Sequence, residues 1–210
     1  MSDTPQGILI IENYLTPDEV AAINDFCDFQ VGKMALTGKK DSCSEDEDIA
    51  LQRSPAFEAE RIELHAIREM VESICKDIFG RVISDHYGVP IEWYEFPHIL
   101  RYRKGGHYVP HSDSESWDAV QQCWVKGIDR DYSAVLYLND RFTGGRLHFP
   151  DLDYYAVPKP GMLVCFPSGH KYRHAAEPTL SGKRYAMVTW ASQKGVEKLL
   201  ECPPMEVVYL

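Results

Sequence analysis

The chain has 210 residues and a formal net charge of −10, and 44% of its residues are hydrophobic and 26% charged. These values are typical of a globular protein whose core is large enough to fold without disulfides. The acidic balance argues against nucleic-acid and membrane partners, because phosphate groups are bound by basic surfaces. We therefore expect no nucleic-acid partner and no membrane partner.

The cysteines and the N-terminal sequence bear on the cellular compartment. The six cysteines are scattered, with no CxxC pair, at Cys27, Cys43, Cys75, Cys123, Cys165 and Cys202. The start MSDTPQGILIIENYL lacks the basic and apolar regions of a signal peptide. No stretch approaches the ~18 apolar residues of a membrane-spanning helix. We expect reduced thiols and a cytoplasmic location.

The first elements in chain order are a strand and a helix. The apolar run ILII at residues 8–11 predicts a short strand. Thr16 is a favourable N-cap, Pro17 fits the first helical position, and Glu19 completes a capping box. The apolar residues that follow recur at helical spacing, so we predict a helix here.

A polar loop and a second helix are predicted next. Residues 37–48 (TGKKDSCSEDED) are polar and unpatterned, which is typical of a solvated loop, with a lid over a site as the alternative. Ser54-Pro55 is a helix-start signal and Gly80 a stop signal. Between them an apolar stripe at helical spacing predicts a core-facing helix; it consists of Leu64, Ile67, Val71, Ile74 and Ile78.

After residue 90 the sequence consists mainly of short runs rich in Tyr, Val, Trp and Phe. Turn residues separate these candidate strands, which are 92–103, 107–111, 132–139, 145–149, 154–157, 162–166 and 184–192. Strands at this spacing favour an all-β sandwich or barrel. We predict one domain over residues 1–210, with a helical support layer of about residues 1–90 and a β core of about residues 91–195.

The stretch HYVPHSDSESW carries a candidate metal site. Alternate residues of a strand share a face, so His111 and Asp113 are expected to point the same way. His174, before the last predicted strand, is a candidate third ligand, and His170 competes with it. Two histidines and one carboxylate form the facial triad that holds non-haem Fe(II), whereas zinc usually leaves at most one position open.

A candidate anion-binding residue follows the distal histidine. Arg184 lies in SGKRYAMVTWAS, ten residues after His174, at the start of a strand that is apolar enough to be buried. A buried guanidinium needs an anionic partner, and a dicarboxylate could supply one by a bidentate interaction. The alternative is a strand-start arginine paired with a surface carboxylate.

Several stretches resemble the 2-oxoglutarate and Fe(II)-dependent prolyl hydroxylases. ILRYRKGGHYVPHSDS is similar to the YxxGxxYxxHxD stretch of that family. RDYSAVLYLNDRFTGGRLHFP resembles, more specifically, a string of the leprecan-type prolyl 3-hydroxylases. PKPGMLVCFPSGHKYRHAAEPTLSGKRYAMVTWAS resembles the closing part of the same domain. The resemblance covers about residues 95–192 and implies a mainly β fold with N-terminal helices, a double-stranded β-helix (jelly-roll or cupin-like barrel).

The resemblance also implies roles for particular residues. His111, Asp113 and His174 would bind Fe(II), and Arg184 would bind the distal carboxylate of the co-substrate 2-oxoglutarate. Tyr102 matches the tyrosine of the YxxG step and would contact that carboxylate. O2 is the second co-substrate, and ascorbate is an optional reductant.

Three residues near the HxD stretch are candidates for substrate contact. Arg103, Tyr108 and Trp117 flank the candidate triad strand and the loop that follows it. His107 and His148 are expected to be ordinary core or rim histidines.

The function implied is hydroxylation of an unactivated C–H bond, with a prolyl residue of a peptide or protein as the leading substrate. A free amino acid or another small molecule is the alternative substrate, because one barrel hosts many chemistries. A non-catalytic jelly-roll binding or scaffold protein, and a zinc cupin-like hydrolase or isomerase, are the other classes considered. The oligomeric state is left open by the sequence.

Overall fold

The computed structural model describes most of the chain, namely residues 4–35, 57–199, 203 and 206–210. The predicted loop 37–48 and the predicted helix start at Ser54-Pro55 lie outside these described residues. Within the described ranges, no helix combines the length and apolar content that crossing a membrane requires.

Strands dominate the described residues. In chain order they are β1 Leu9–Ile11, β2 Lys33–Met34, β3 Phe57–Glu58, β4 Glu60–Glu63, β5 Ile91–Glu95, β6 His98–Tyr102, β7 His107–His111, β8 Glu115–Asp118, β9 Cys123–Lys126, β10 Tyr132–Tyr137, β11 Phe142–Gly144, β12 Leu147–Phe149, β13 Tyr154–Ala156, β14 Leu163–Pro167, β15 His174–Ala176, β16 Thr179–Gly182, β17 Arg184–Gln193 and β18 Val207–Tyr209. The α-helices are α1 Pro17–Asp28, α2 Arg68–Asp77 and α3 Ser84–Tyr87.

Two antiparallel sheets make the barrel. The larger sheet has the order β1-β14-β10-β17-β6-β4-β2, with β5 and β18 added beside β17. The smaller sheet has the order β13-β12-β15-β7-β3. Two separate hairpin-like pairs, β8 with β9 and β11 with β16, lie outside them. Several consecutive strands fall in different sheets, such as β6 and β7 or β14 and β15, which is the jelly-roll arrangement that was predicted.

The larger sheet is covered on both faces. One face packs against α1 and α2, and residues such as Ile23, Val71 and Ile99 form the core between them. The other face meets the smaller sheet, where Leu100, Phe149 and other apolar side chains form a second core. Because both faces are covered, most residues of β6, β10 and β17 are buried.

The helix α1 confirms the capping prediction. The Thr16 hydroxyl accepts a hydrogen bond from the Glu19 backbone N–H at 3.3 Å, and the Glu19 carboxylate accepts one from the Thr16 N–H at 2.8 Å. Pro17 occupies the first turn. The buried residues of α1, which are Val20, Ile23 and Cys27, lie on one stripe and face the sheet.

The second helical segment differs from the prediction at both ends. The residues before Leu64 form β3 and β4, and α2 begins only at Arg68. Gly80 does not end the helix, because the chain continues through a π-helical segment, Ile78–Ile83, into α3. Gly88 ends it instead, with φ of 68°, the left-handed conformation that glycine adopts without strain.

The predicted division at residue 90 is also too simple. The strands β1 to β4 all lie before it, and each joins one of the two barrel sheets. The run ILII predicted β1, but β2, β3 and β4 are only two to four residues long and carry too little periodicity to be recognised in the sequence. The N-terminal region is therefore part of the barrel wall as well as its support.

Candidate metal and co-substrate site

Three side chains that can bind a metal meet on the smaller sheet. His111 ends β7, His174 begins β15, and the two residues are directly paired across the sheet. The ligand atoms of His111, Asp113 and His174 all lie within 4.8 Å of one another. Each histidine Nε2 lies 3.6 Å from an oxygen of the Asp113 carboxylate. The structure thus brings together the three residues predicted as ligands.

Backbone hydrogen bonds fix the orientation of both imidazoles. His111 Nδ1 donates to the Val109 carbonyl at 2.9 Å, and His174 Nδ1 donates to the Tyr172 carbonyl at 3.2 Å. A carbonyl can only accept, so each Nδ1 carries the proton and each Nε2 keeps its lone pair. The two lone pairs therefore lie on the side of the Asp113 carboxylate, as metal coordination requires.

Asp113 is held by a cluster of serines rather than by a strand. The strand β7 ends at His111, so regular strand geometry does not place Asp113. The hydroxyls of Ser112 and Ser114 both donate to the Ser168 carbonyl, at 2.9 and 3.0 Å, and pin the turn to the end of β14. The Ser133 hydroxyl donates to Asp113 Oδ2 at 2.7 Å. These contacts give the carboxylate one position.

The charges of the triad are those of a metal site. Burial lowers the pKa of His174 to about 4, although Asp113 acts in the opposite direction, so this imidazole is neutral at neutral pH. Burial alone would raise the pKa of Asp113, but His174, His111 and Ser133 together hold it well below its usual range. A neutral imidazole beside an ionised carboxylate belongs to the donor set that a divalent cation needs.

Replacement of Ser133 with alanine tests the support of this carboxylate. The change removes one hydrogen bond to Asp113 and leaves the three ligands in place. Loss of such an outer contact typically lowers metal affinity, so we expect Fe(II) affinity to fall by about 10- to 100-fold. Anaerobic titration with Fe(II) measures it. Ser116→Ala, on the exposed part of β8, is the matched control and should leave the affinity unchanged.

The triad lines a cavity of about 530 Å³ between the two sheets. Arg184 lines the same cavity, opposite Tyr102 in the pairing of β17 with β6. The Arg184 residue is 2% exposed, so the carboxylate-paired surface arginine considered as the alternative is wrong. The Arg184 guanidinium carbon lies 4.5 Å from the Tyr102 ring centroid and 5.2 Å from that of Tyr137.

The guanidinium of Arg184 has unused donors. Its Nη2 donates to the Tyr137 hydroxyl at 3.3 Å, whereas its buried Nε and Nη1 have no hydrogen-bond partner among the described residues. A buried charge with unpaired donors is costly unless an anion completes it. Gly145 leaves the space beside it open, since a Cβ there would lie 2.9 Å from Arg184 Cδ. The residues therefore fit a carboxylate-bearing ligand that reaches towards the triad.

The predicted co-substrate and substrate residues fall into two groups. Tyr102 and Tyr108 both line the cavity, and Tyr108 stacks on His111 with ring centroids 3.6 Å apart. Arg103 and Trp117 do not line it. The Arg103 guanidinium donates to Glu60 at 2.8 Å on the opposite face of β6, and Trp117 is 53% exposed on the β8–β9 pair.

The competing histidine lies outside the triad. His170 Nδ1 donates to Glu115 at 2.5 Å, and the His170 ring stacks on Trp124 with centroids 5.2 Å apart. His107 and His148 also make contacts away from the triad: His107 Nδ1 donates to the Gly105 carbonyl, and His148 stacks on Tyr155. The geometry therefore favours His174 over His170 as the third ligand.

Several cavity residues were missed in the sequence, among them Arg130, His98 and Trp190. Arg130 lies over the Trp190 ring at 3.8 Å from its centroid and makes a bidentate ion pair with the buried Glu95, at 2.5 and 2.6 Å. His98 lies beside Trp190, with ring centroids 5.9 Å apart. These residues come from three separate strands or loops, and only the alternation of β6 and β17 could have placed His98 and Trp190 on the cavity side.

Comparison with known proteins identifies a domain over much of this region. A family model described as the 2OG-Fe(II) oxygenase superfamily matches residues 97–192. The chain is 34% identical to human prolyl 3-hydroxylase 2 over 100 residues, which cover 43% of the chain and 14% of the human protein. It is 28% identical over 139 residues to a putative prolyl 4-hydroxylase of Acanthamoeba polyphaga mimivirus, covering 61% of the chain and 53% of that protein.

The fold is shared with a solved structure of low sequence identity. The viral collagen prolyl hydroxylase of Paramecium bursaria chlorella virus 1, solved with 2OG, superposes with a TM-score of 0.65 and is 17% identical. The superposition covers 89% of this chain and 96% of that one. This likeness shows that most of the chain shares one known fold.

Proposed function

Since a model of the 2OG-Fe(II) oxygenase superfamily matches residues 97–192, we propose that this chain is a member of that superfamily and uses Fe(II), 2-oxoglutarate and O2 to hydroxylate an unactivated C–H bond. The substrate proposed is a prolyl residue in a peptide or protein. The names of the relatives, prolyl 3-hydroxylase and prolyl 4-hydroxylase, support this substrate class. Ascorbate is proposed as a reductant that keeps the iron in its ferrous state.

One observation carries the proposal: a facial set of two imidazoles and a carboxylate shares a cavity with a buried arginine that has no anionic partner among the described residues. A facial triad leaves several coordination positions open, whereas a zinc hydrolase needs only one. A scaffold protein would not be expected to retain an unpaired buried guanidinium, because removing that charge would cost it nothing.

Different residues of the cavity would bind the metal, bind the co-substrate and exclude water. His111, Asp113 and His174 would hold the metal, and Arg184 would orient the far carboxylate of 2-oxoglutarate by charge-assisted hydrogen bonds. Bound Fe(II) and 2-oxoglutarate, together with O2 as the oxidant, would supply the oxidising chemistry that C–H hydroxylation needs. Apolar residues of the cavity wall, among them Val188, exclude water from the reacting atoms.

Two further proposals concern the chain as a whole. The helices α1 and α2 share one hydrophobic core with the larger sheet, which supports the assignment of residues 1–210 to one domain. The four described cysteines, Cys27, Cys75, Cys123 and Cys165, are free thiols. Free thiols support a reducing compartment, and we propose the cytoplasm.

Anaerobic addition of Fe(II) and then 2-oxoglutarate tests the cofactor assignment. We expect a weak visible charge-transfer band that requires both components, because 2-oxoglutarate chelates the ferrous ion directly. Admission of O2 with a library of proline-containing peptides should then release succinate and add about 16 Da, one oxygen atom, to a prolyl residue. Tight Fe(II) binding without the charge-transfer band would refute the proposed function. If only free amino acids were modified, the substrate assignment would change from a peptide to a free amino acid.

A further inference from the structure

The end of the cavity farthest from Arg184 has its own set of polar side chains. Along β6, the alternate residues Tyr102, Leu100 and His98 face the cavity. Tyr102 is paired with Arg184, so His98 lies four residues, roughly 13 Å at 3.3 Å per residue, from the co-substrate end. His98 is directly paired with Glu63 on one side and with Val188 on the other.

His98 is a buried imidazole that makes no hydrogen bond to any residue that the structure describes. The residue is 7% exposed, and its ring contact is with Trp190. Burial, with smaller contributions from Arg61 and Arg130, holds the pKa of His98 well below its ordinary value. The neutral ring keeps one N–H donor, and buried donors of this kind are normally satisfied by a ligand or water.

The groups around His98 form a donor-rich rim. Arg61 Nε lies 2.9 Å from Glu63 Oε1 and makes no hydrogen bond, so the two side chains form an ion pair. Lys33, paired with Arg61 across β2 and β4, also lines the cavity. Arg130 completes the rim and is already engaged by Glu95.

The charges at this end do not balance. Three cationic side chains, Lys33, Arg61 and Arg130, face two carboxylates, those of Glu63 and Glu95. At the other end the charges of a ferrous ion, Asp113, Arg184 and doubly charged 2-oxoglutarate would cancel. Among the described residues, one positive charge therefore remains in the outer part of the cavity.

We propose that this end of the cavity binds a carboxylate of the substrate, through hydrogen bonds donated by Arg61 and His98. The inference rests on the proposed function and narrows its substrate class to molecules that carry a carboxylate close to the hydroxylated carbon. A neutral amide oxygen could accept the same hydrogen bonds but would leave the positive charge uncompensated. The carboxylate comes either from an acidic residue next to the target proline or from a free amino acid.

Matched probes separate these cases. The first pair consists of capped peptides with a single proline flanked by glutamate or by glutamine, and the second of L-proline and L-prolinamide. Calorimetric titration of the protein, loaded anaerobically with Fe(II) and 2-oxoglutarate, measures affinity without turnover. We expect the carboxylate member of one pair to bind at least about 10-fold more tightly, the usual size of a charge-assisted hydrogen bond. Preference within the first pair indicates a peptide, and preference within the second a free amino acid.

Variants assign the preference to the proposed residues. Arg61→Gln and His98→Leu should each reduce the preference to less than about threefold, whereas His98→Gln, which keeps a donor near the same place, should restore part of it. Arg81→Gln removes an arginine that is exposed on the helical segment and paired with Asp77, and it should change nothing. Arg81→Gln should also leave succinate release without substrate within about twofold, because Arg184, the triad and the proposed subsite are untouched.

The outcomes distinguish this inference from the proposed function. Equal affinity for both members of each pair, no binding of any probe, or a preference that survives both Arg61→Gln and His98→Leu would overturn the carboxylate subsite. A protein that shows the preference but never consumes 2-oxoglutarate would keep the subsite and refute the hydroxylase. Titration of the metal-free protein with the same probes would measure the carboxylate preference independently of Fe(II) and 2-oxoglutarate.

Discussion

Replacement of His174 with alanine is expected to lower Fe(II) affinity by more than about 100-fold and to abolish turnover of 2-oxoglutarate. Loss of an outer contact to a ligand already costs 10- to 100-fold in typical sites, so loss of a ligand should cost more. His174 supplies one of the three clustered donor atoms. Anaerobic Fe(II) titration and succinate release measure the two effects.

His170→Ala is the matched control for this prediction. It removes a histidine four positions earlier, whose contacts are to Glu115 and Trp124 and not to the triad. We expect Fe(II) affinity within about threefold of the unchanged protein. If His170→Ala abolished iron binding while His174→Ala retained it, the assignment of the distal ligand would pass to His170.

Replacement of Arg184 with methionine is expected to act in opposite directions on co-substrate binding and on stability. The loss of a bidentate, charge-assisted interaction should raise the Kd of 2-oxoglutarate by about 100-fold or more. In the absence of ligand, however, the same guanidinium is a buried charge with unpaired Nε and Nη1. Replacing such a charge with an apolar side chain is often neutral or stabilising by about 1–4 kcal/mol.

The two effects are measured separately. Calorimetry with Fe(II)-loaded protein gives the affinity for 2-oxoglutarate, and urea unfolding of the ligand-free protein gives the free energy of unfolding. Arg81→Met, at an exposed ion pair, is expected to change neither by a measurable amount. A loss of stability of about 2 kcal/mol or more in Arg184→Met, with 2-oxoglutarate affinity retained, would show that Arg184 is a structural residue.

Local signals in the sequence were enough for some elements and too weak for others. The capping box of α1 was predictable because Thr16 and Glu19 interact within one turn. The start of α2 was not, because the apolar stripe that runs through Leu64 fits both a helix and the buried end of a strand pairing. Gly80 was wrongly predicted to end the helix, because it lies within the π-helical segment Ile78–Ile83, which continues the helix. The β8–β9 pair was missed because it is mostly solvent-exposed and lacks an apolar face.

The candidate site shows the same division. His111 and Asp113 are two residues apart, so their proximity needs only local geometry, and the family resemblance supplied His174 and Arg184. The serine support of Asp113 depends on Ser133 and Ser168, which reach it only through the pairing of β10 with β14. His98 was invisible for the same reason: a single histidine on a strand has no signature until its neighbours Arg61 and Trp190 are known.

The strand β17 has a consequence for how this fold can diverge. It carries Arg184 at its first position and Trp190 six residues later, and it is held by β10 along most of its length and by β6 and β5 in turn. Because β17 is paired on both sides, it fixes the distance between Arg184, the proposed 2-oxoglutarate ligand, and Trp190, which lies in the part of the cavity proposed for the substrate. Lys33 and Arg61 instead sit on the outermost strands of the sheet. Substitutions in those strands alone would therefore allow homologues to bind different substrates while the metal and co-substrate sites stay unchanged.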